Sequence, residues 1–414
     1  MKSVPGWLAV CAVLVMGQAP RVFAQADPNG PDPDKVKVHV GPVMLNPTVT
    51  FGNIGIDDNV FDDSTNPKSD FTMTISPKTD VWLRFLGTWF TGTMKEDVVW
   101  YQKYSSERSG NTTYGLNWKL PLTRLTATFG ASRASTRERL GYEIDERAPR
   151  ILNNYFADVS VNVLASTALD VRITSAKTAY DPTATFELVN LADQLNVTST
   201  AVDINLNRKL TPLTTLTVGL NRSQDRFPMN PLRDADRTDA TAALRFDPVA
   251  LLKGDFSVAY TSYSPHSATI PAYNGLTLSA GLSYTLYDVT QFVLRADRSL
   301  QNSYDITQPY YLQTGFNLQI SQQVQTHIDV VGRGGLEHLN YRDLTDPAVV
   351  AASAVGLVVP NRTDTVTTYG VGIGYHLGSA TRLGLNYDRT RRSSPIELRG
   401  YERANIGASI TYDF

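Results

Sequence analysis

The stretch Gly275-Leu-Thr-Leu-Ser-Ala-Gly-Leu-Ser-Tyr-Thr-Leu286 repeats on every second residue. Leu276, Leu278, Ala280, Leu282, Tyr284 and Leu286 fall on one side, and Thr277, Ser279, Gly281, Ser283 and Thr285 on the other. Side chains of a strand point alternately to its two faces, so this segment reads as a strand with one apolar and one polar surface. The same reading applies where Leu169, Val171 and Ile173 oppose Asp170, Arg172 and Thr174. It applies again where Val202, Ile204 and Leu206 oppose Asp203, Asn205 and Asn207, and where Leu383, Leu385 and Tyr387 oppose Arg382, Gly384, Asn386 and Asp388.

Alternation alone suits a soluble sandwich as well as a barrel. The joins separate the two. Short ones, at Lys78-Thr79, 121–123, Ser166-Thr167, around Asp288, 323–325 and 378–380, alternate with long polar ones, at 58–69, 94–110, 135–153, 180–196, 226–237, 265–274, 303–310, 339–363 and 393–401. Transmembrane barrels have short periplasmic turns and longer external loops. Aromatic residues gather at strand ends, at Trp82, Trp89, Trp118, Tyr155, Tyr260, Tyr263, Tyr287, Tyr310, Tyr375 and Tyr387, where amphipathic rings favour membrane interfaces. Ile406, Ala408, Ile410, Tyr412 and Phe414 make a last alternating strand, so Tyr412 and Phe414 are expected to form the signal read by the barrel-assembly machinery. The expected fold is all-β: a single antiparallel transmembrane barrel of about 18 strands, or about 16 if Asp70–Ser76 and the stretch 97–104 are not separate strands. A barrel of that size leaves an aqueous lumen.

Composition narrows the function. Of 414 residues, 38 are Lys or Arg and 40 are Asp or Glu, a balance without the concentrated positive face that nucleic acid requires. The single cysteine, Cys11, excludes disulfide frameworks and Cys-based zinc sites. It lies in the apolar run Leu8 to Met16, which follows Lys2 and reads as a signal peptide over 1–24, with cleavage at Ala24 or at Ala26. Residues 25–42 are expected to be a flexible periplasmic segment and 43–414 the barrel.

On the polar faces, Arg84, Lys119, Asp158, Asn162, Asp170, Arg172, Asp203, Asn205, Arg245, Arg295, Asp297, Asn317, Asp329, Arg333, His376, Asn386 and Asp388 are candidates to line the pore. Charges turned to lipid at mid-bilayer cost about 2–4 kcal/mol for Arg or Lys, so these residues either line a conducting lumen or neutralise one another in a closed one. The 5 histidines, His39, His266, His327, His338 and His376, show no ligand spacing; His266 and His338 are expected in external loops. No catalytic residue, metal or cofactor is expected. Asp57, Asp58, Asn59, Asp62 and Asp63 form either a solvated acidic loop or a Ca²⁺ site. Arg133, Arg137, Arg139, Arg147 and Arg150 crowd the third loop, and Arg389, Arg391, Arg392, Arg399 and Arg403 the last hairpin. Their fork geometry suits lipopolysaccharide phosphate or an anionic substrate. The apolar stretch Pro347 to Pro360 of the eighth loop either folds inward as a constriction or lies over the rim as a short helix.

Near the start of the barrel stand Pro47-Thr-Val-Thr-Phe-Gly-Asn-Ile-Gly-Ile-Asp-Asp-Asn-Val-Phe61 and then Ser69-Asp-Phe-Thr-Met-Thr-Ile-Ser-Pro77. These resemble the putative β-barrel porin 2 family, in which a first strand ends in Asp-Asn-Val/Ile-Phe and a Ser-Asp…Ser-Pro strand follows. The resemblance implies an outer-membrane barrel of a diderm bacterium, associated with exopolysaccharide or capsule export. The function it implies is a passive pore for polysaccharide or another polar solute, or a non-conducting barrel that partners an export machine. Outer-membrane lipid, lipopolysaccharide and polysaccharide-export components are the implied partners. The family supplies no catalytic or ligand residues to carry over.

Overall fold

The computed structural model describes residues 36, 38–139, 141–247, 249–354, 358–378 and 380–413. The expected signal peptide and Phe414 lie outside them. The described chain is almost all strand. Its first strands are β1 (Val43–Asp57), β2 (Asp70–Phe85), β3 (Thr88–Tyr101), β4 (Ser109–Pro121), β5 (Leu125–Glu138) and β6 (Ala148–Leu164). There follow β7 (Thr167–Tyr180), β8 (Val197–Thr211), β9 (Thr214–Arg226), β10 (Ala235–Phe246), β11 (Leu252–Pro265) and β12 (Tyr273–Leu286). The last are β13 (Thr290–Asn302), β14 (Tyr310–Gln325), β15 (Ile328–Arg342), β16 (Thr363–Leu377), β17 (Thr381–Ser393) and β18 (Tyr401–Asp413). Each pairs antiparallel with the next, and β1 also pairs with β18, so the sheet closes into an 18-strand barrel with no free edge. Closure is what lets strands cross lipid, because every backbone donor finds a partner. No helix among the described residues is long and apolar enough to cross a membrane.

Period two sorts the residues. Along β16, Tyr369, Val371, Ile373 and Tyr375 are exposed, Val371 at 60%, and on β17 Leu385 is 55% exposed. The alternate residues Gly370, Gly372, Gly374 and His376 share the other face with Arg382, Asn386 and Asp388 by register. In a closed barrel the apolar set meets lipid and the polar set meets the lumen.

Several details depart from the sequence reading. The expected join at Lys78-Thr79 is strand interior. The ladder from β2 to β3 skips Ser76 and Pro77, then resumes at Lys78↔Lys95 without a change of register. Pro77 lacks an N–H, and the break is confined to these two rungs. The turn comes at Leu86 and Gly87, both with positive φ, as a two-residue hairpin of matching twist requires. The short joins at 212–213 and 247–251 lack Gly or Asn; their signals, Pro212 and Asp247-Pro248, were not used in the sequence reading. Part of the segment expected to be flexible is a hairpin: Val38–Val40 turns at Gly41 and pairs with the start of β1. His338 lies inside β15 rather than in a loop, bonded to Thr365 at 3.0 Å. The aromatic set also divides. Trp118, Tyr155, Tyr260, Tyr375 and Tyr387 share the outer face by register, whereas Trp82, Tyr263 and Tyr310 are buried and Trp89 lies on the lumen face beneath Arg84.

Candidate functional site: the lumen and its roof

Strand register puts every candidate lining residue on the lumen face. On β15 to β17 they form two clusters. The Asp329 carboxylate accepts from Arg382 Nε at 2.9 Å and Nη2 at 2.6 Å, and pairs with His376 Nε2 at 2.7 Å. Nearby, Arg333 Nη2 reaches Asn386 Oδ1 at 3.2 Å and Asp388 Oδ1 at 3.1 Å. These contacts jump from β15 to β17 across β16, and glycine makes that possible. A Cβ on Gly374 would lie 2.3 Å from Arg382 Nη2, and one on Gly370 2.1 Å from Asp388 Oδ1. The bare backbone of β16 is the floor on which these side chains lie.

The opposite wall is richer in carboxylates and amides. Asn221 Nδ2 donates to Asp203 Oδ1 at 2.7 Å, Asn207 Nδ2 donates to Asp170, and the Arg172 guanidinium lies 4.0 Å from the centroid of the Phe156 ring. Asp158 faces Arg172, and Asn205 faces Asp170, across the β6–β7 and β7–β8 pairs. Asn162, next to the short-turn end of β6, pairs with Ala168. Arg245 stands opposite Asp255, Arg295 opposite Asn317, and Asp297 opposite Gly315; Lys119 sits beside Trp89. Lumen residues that the sequence list omitted include Glu337, which receives Asn317 Nδ2 at 3.0 Å and occupies the space left by Gly315. Asp80 was omitted too, with Lys78 at 2.9 Å and Thr93 at 2.7 Å. Their signal was the same alternation: Glu337 shares its parity with Asp329 and Arg333 on β15, and Asp80 with Arg84 on β2.

The long loops meet over the mouth. Loop 3 (139–147) follows β5 and loop 7 (303–309) follows β13, nearly opposite in the ring. Yet Ser303 Oγ donates to Glu143 Oε1 at 2.5 Å, and the Tyr304 N–H to Glu143 Oε2 at 3.3 Å. Loop 9 (394–400) closes the knot: Arg399 donates to the Glu143 carbonyl, to Tyr304 Oη at 2.9 Å and to Glu187 of loop 4 (181–196) at 3.2 Å. Ile144, Phe186, Leu191, Leu195 and Tyr304 pack as an apolar core under this roof. Loop 3 also dips into the barrel, where Tyr142 packs against Tyr311, Leu339, Tyr341 and Val366 of the far wall. Arg233 of loop 5 (227–234) is buried, donating to Gln194 at 3.2 Å and to the Ser303 carbonyl at 2.6 Å.

Burial governs protonation here, because desolvation disfavours charge. It pushes the Glu143 carboxyl up to about 7, against the opposing pull of its Ser303 hydrogen bond and of Arg399 and Arg362. Burial raises Asp145 as well, although Arg392 and Arg399 oppose it, and lowers the Arg233 guanidinium to about 10.

This roof reassigns three features of the sequence. The arginine clusters are mostly internal struts: Arg139 and Arg403 pair with Asp62 at 2.9 and 3.0 Å, Arg147 donates to the Glu107 carbonyl at 2.7 Å, and Arg392 bridges Asp145 and Asp364 at 2.8 and 2.5 Å. Arg150 stands opposite Tyr180 across the β6–β7 pair, on the lumen face. Arg389 and Arg391 lie on the outer wall, sharing Glu402. The acidic loop is not solvated throughout: Asp57, Asn59 and Asp62 are buried, and among the described residues there is no group of three His, Cys, Asp or Glu placed to hold a metal. Asn59 donates to the Asp63 and Glu402 carbonyls, both at 2.9 Å, which straps loop 1 (58–69) to β18. Asp70 receives the Lys103 and Tyr104 N–H groups at 2.9 Å. In loop 8 (343–362), Pro347–Ala354 is a short helix with Val350 exposed, so the inward-folding loop is loop 3.

A closed barrel with a polar lumen, short turns at one end and a loop roof at the other defines an outer-membrane porin-type protein. The chain belongs to the putative β-barrel porin 2 family, which it matches over residues 32–414. It is accordingly an outer-membrane protein of a Gram-negative bacterium. Among solved structures it is similar to a BenF-like porin from Pseudomonas fluorescens, at 9% identity and TM-score 0.50, covering 91% of this chain and 100% of that one. Acinetobacter baumannii OccAB2 matches at 10% identity and TM-score 0.48, over 89% and 98% of the two chains. The FrpB iron transporter of Neisseria meningitidis matches at 10% identity and TM-score 0.45; 86% of this chain is covered, but only 64% of the length of that transporter. At these identities the likeness is one of fold. No curated protein matches the chain.

Proposed function

We propose that the protein is a gated passive pore for small polar solutes. The observation that carries this reading is the lumen face of mixed charge. Asp158, Asp170 and Asp203 stand on one wall, and the neutralised pairs Arg333–Asp388 and Arg382–Asp329 on the other. Water-filled barrels need such a face, and a filled one does not. The pairing of charges favours weak ion selectivity over a strong preference for one sign. The roof supports gating, since Glu143 and Ser303 bridge the mouth and must part for passage. A polysaccharide, the cargo implied by the family resemblance, needs the same loops withdrawn further.

The roof also favours one second reading, a non-conducting barrel that partners an export machine. Planar-bilayer recordings separate the two. The pore reading expects stepwise conductance from the wild type, and longer openings from Arg399→Ala, which releases loops 3, 4 and 7. Silence from both proteins after confirmed insertion would support the non-conducting partner instead.

A further inference from the structure

The outer wall of β5 to β9 carries cations where its neighbours carry apolar side chains. Near the loop end of these strands, Tyr114, Arg133, Asn153, Lys177, Thr198 and Arg226 stand in one continuous cross-strand row on the outer face. Two rungs toward the short-turn end, the same face is Trp118, Phe129, Ala157, Ile173 and Val202. Arg222 extends the basic set on β9, adjoining Val202.

These cations lack their share of internal counter-charge. Arg222 and Arg226 share Asp236, at 2.9 and 2.8 Å, with His266 at 3.3 Å from the same group, and Arg226 also lies 4.0 Å from Asp234. Among the described residues, Arg133 reaches only the Asn153 amide oxygen, at 3.4 Å. Lys177 is exposed, and among the described residues no carboxylate lies within ion-pair distance of it. An outward Arg or Lys costs about 2–4 kcal/mol at the bilayer midplane and about 0–1 near the interface, so a row of them marks the interface and calls for anions there. The loop end faces the cell exterior, and the anions of that leaflet are headgroup phosphates. Arg presents a fork that matches phosphate, and Lys a point charge.

We propose that this row is a binding site for the phosphates of a lipid A headgroup, with Arg133 and Lys177 at its centre. Adjacent strands lie about 4.8 Å apart, so these two cations, two strands apart, span about 10 Å and can hold separate phosphates of one bis-phosphorylated headgroup. The site is distinct from the loop arginines, which the roof consumes, and from the Arg389–Arg391 pair with its own Glu402.

The test uses the full folded barrel in detergent, with bis-phosphorylated lipid A as probe and heat-modifiable migration as the check that each variant is folded. Losing charge-assisted bonds of this kind corresponds to at least about a tenfold loss of affinity, which is the result expected for Arg133→Gln/Lys177→Gln. Arg389→Gln/Arg391→Gln should bind as the wild type does. Lys177→Gln alone should fall between, and serves if the double variant does not fold. Lipid A stripped of phosphate should bind weakly, and inorganic phosphate should not displace the lipid. Undiminished binding by the Arg133/Lys177 variant, equal loss in both double variants, or full displacement by inorganic phosphate would each overturn the proposal.

Discussion

A single residue can be read from its parity and its neighbours. Leu383 faces lipid between Tyr375 and Ile410, while Asn386 faces the lumen beside Arg333. Leu383 lies two residues from the short-turn end of β17, so Leu383→Arg should cost between the interface value of about 0–1 and the midplane value of about 2–4 kcal/mol, and reduce the heat-modifiable folded fraction. Asn386→Arg should assemble and shift the reversal potential toward anions, since it adds a cation to the lumen wall. Glu143 carries a different kind of prediction. Its closed-roof value of about 7 lies above the ordinary 4.5, because burial favours the neutral acid. The closed roof thus gains most at low pH, and its advantage falls as pH rises from about 4.5 through about 7. Open probability in bilayers should climb across that window. Glu143→Gln, neutral at every pH, should flatten the climb; an unchanged profile would assign it to another group. The charges facing Glu143 are Arg399 from loop 9 and Arg362 from loop 8, both cationic throughout the window.

At the scale of the element, the seam between β1 and β18 is where the chain closes on itself, and it is tight. β1 carries a bulge between Phe51 and Ile54, with Asn53 at a φ of 51°. Just beyond it, a Cβ on Gly55 would lie 1.8 Å from the Ile406 carbonyl oxygen. A backbone atom cannot move aside as a side chain can. Gly55→Ala should therefore destabilise by at least about 1–3 kcal/mol, the usual cost of overpacking. Gly332→Ala, where a Cβ meets nothing within 4 Å, should be near neutral. Comparing urea midpoints of the two variants in lipid vesicles checks this. Strands of this kind were legible in the sequence because alternation is local: Leu276 to Leu286 needs no partner to be recognised. Turns were less so. The chain passes Pro77 as strand and turns instead at Leu86-Gly87, because the ladder with β1 and β3 outweighs a single proline.

For the molecule as a whole, the barrel was readable and its roof was not. Loop contacts such as Glu143–Ser303 or Arg399–Glu187 join residues far apart in the chain, and no period announces them. The arginines of loops 3 and 9 were visible as clusters, but their partners were not, so lipid phosphate looked the natural target. Burial of Arg392 and Arg399 gives them internal work instead. Because the roof is separate from the wall ladder, Arg399→Ala should leave heat-modifiable migration and outer-membrane fractionation unchanged while raising open-channel noise. Loss of the folded band in that variant would mean that the loops help hold the wall.

The bonds between opposed loops also determine what the cell shows to its surroundings. Loops tied to one another form a continuous dome instead of separate fingers, and Glu143, Arg399 and Tyr304 are hidden within it. An antibody or phage fibre arriving from outside meets a composite surface, drawn from several loops at once. Sera raised against a linear peptide of residues 139–147 should recognise the denatured chain and miss intact cells, whereas sera raised against the folded barrel should bind both cells and barrel.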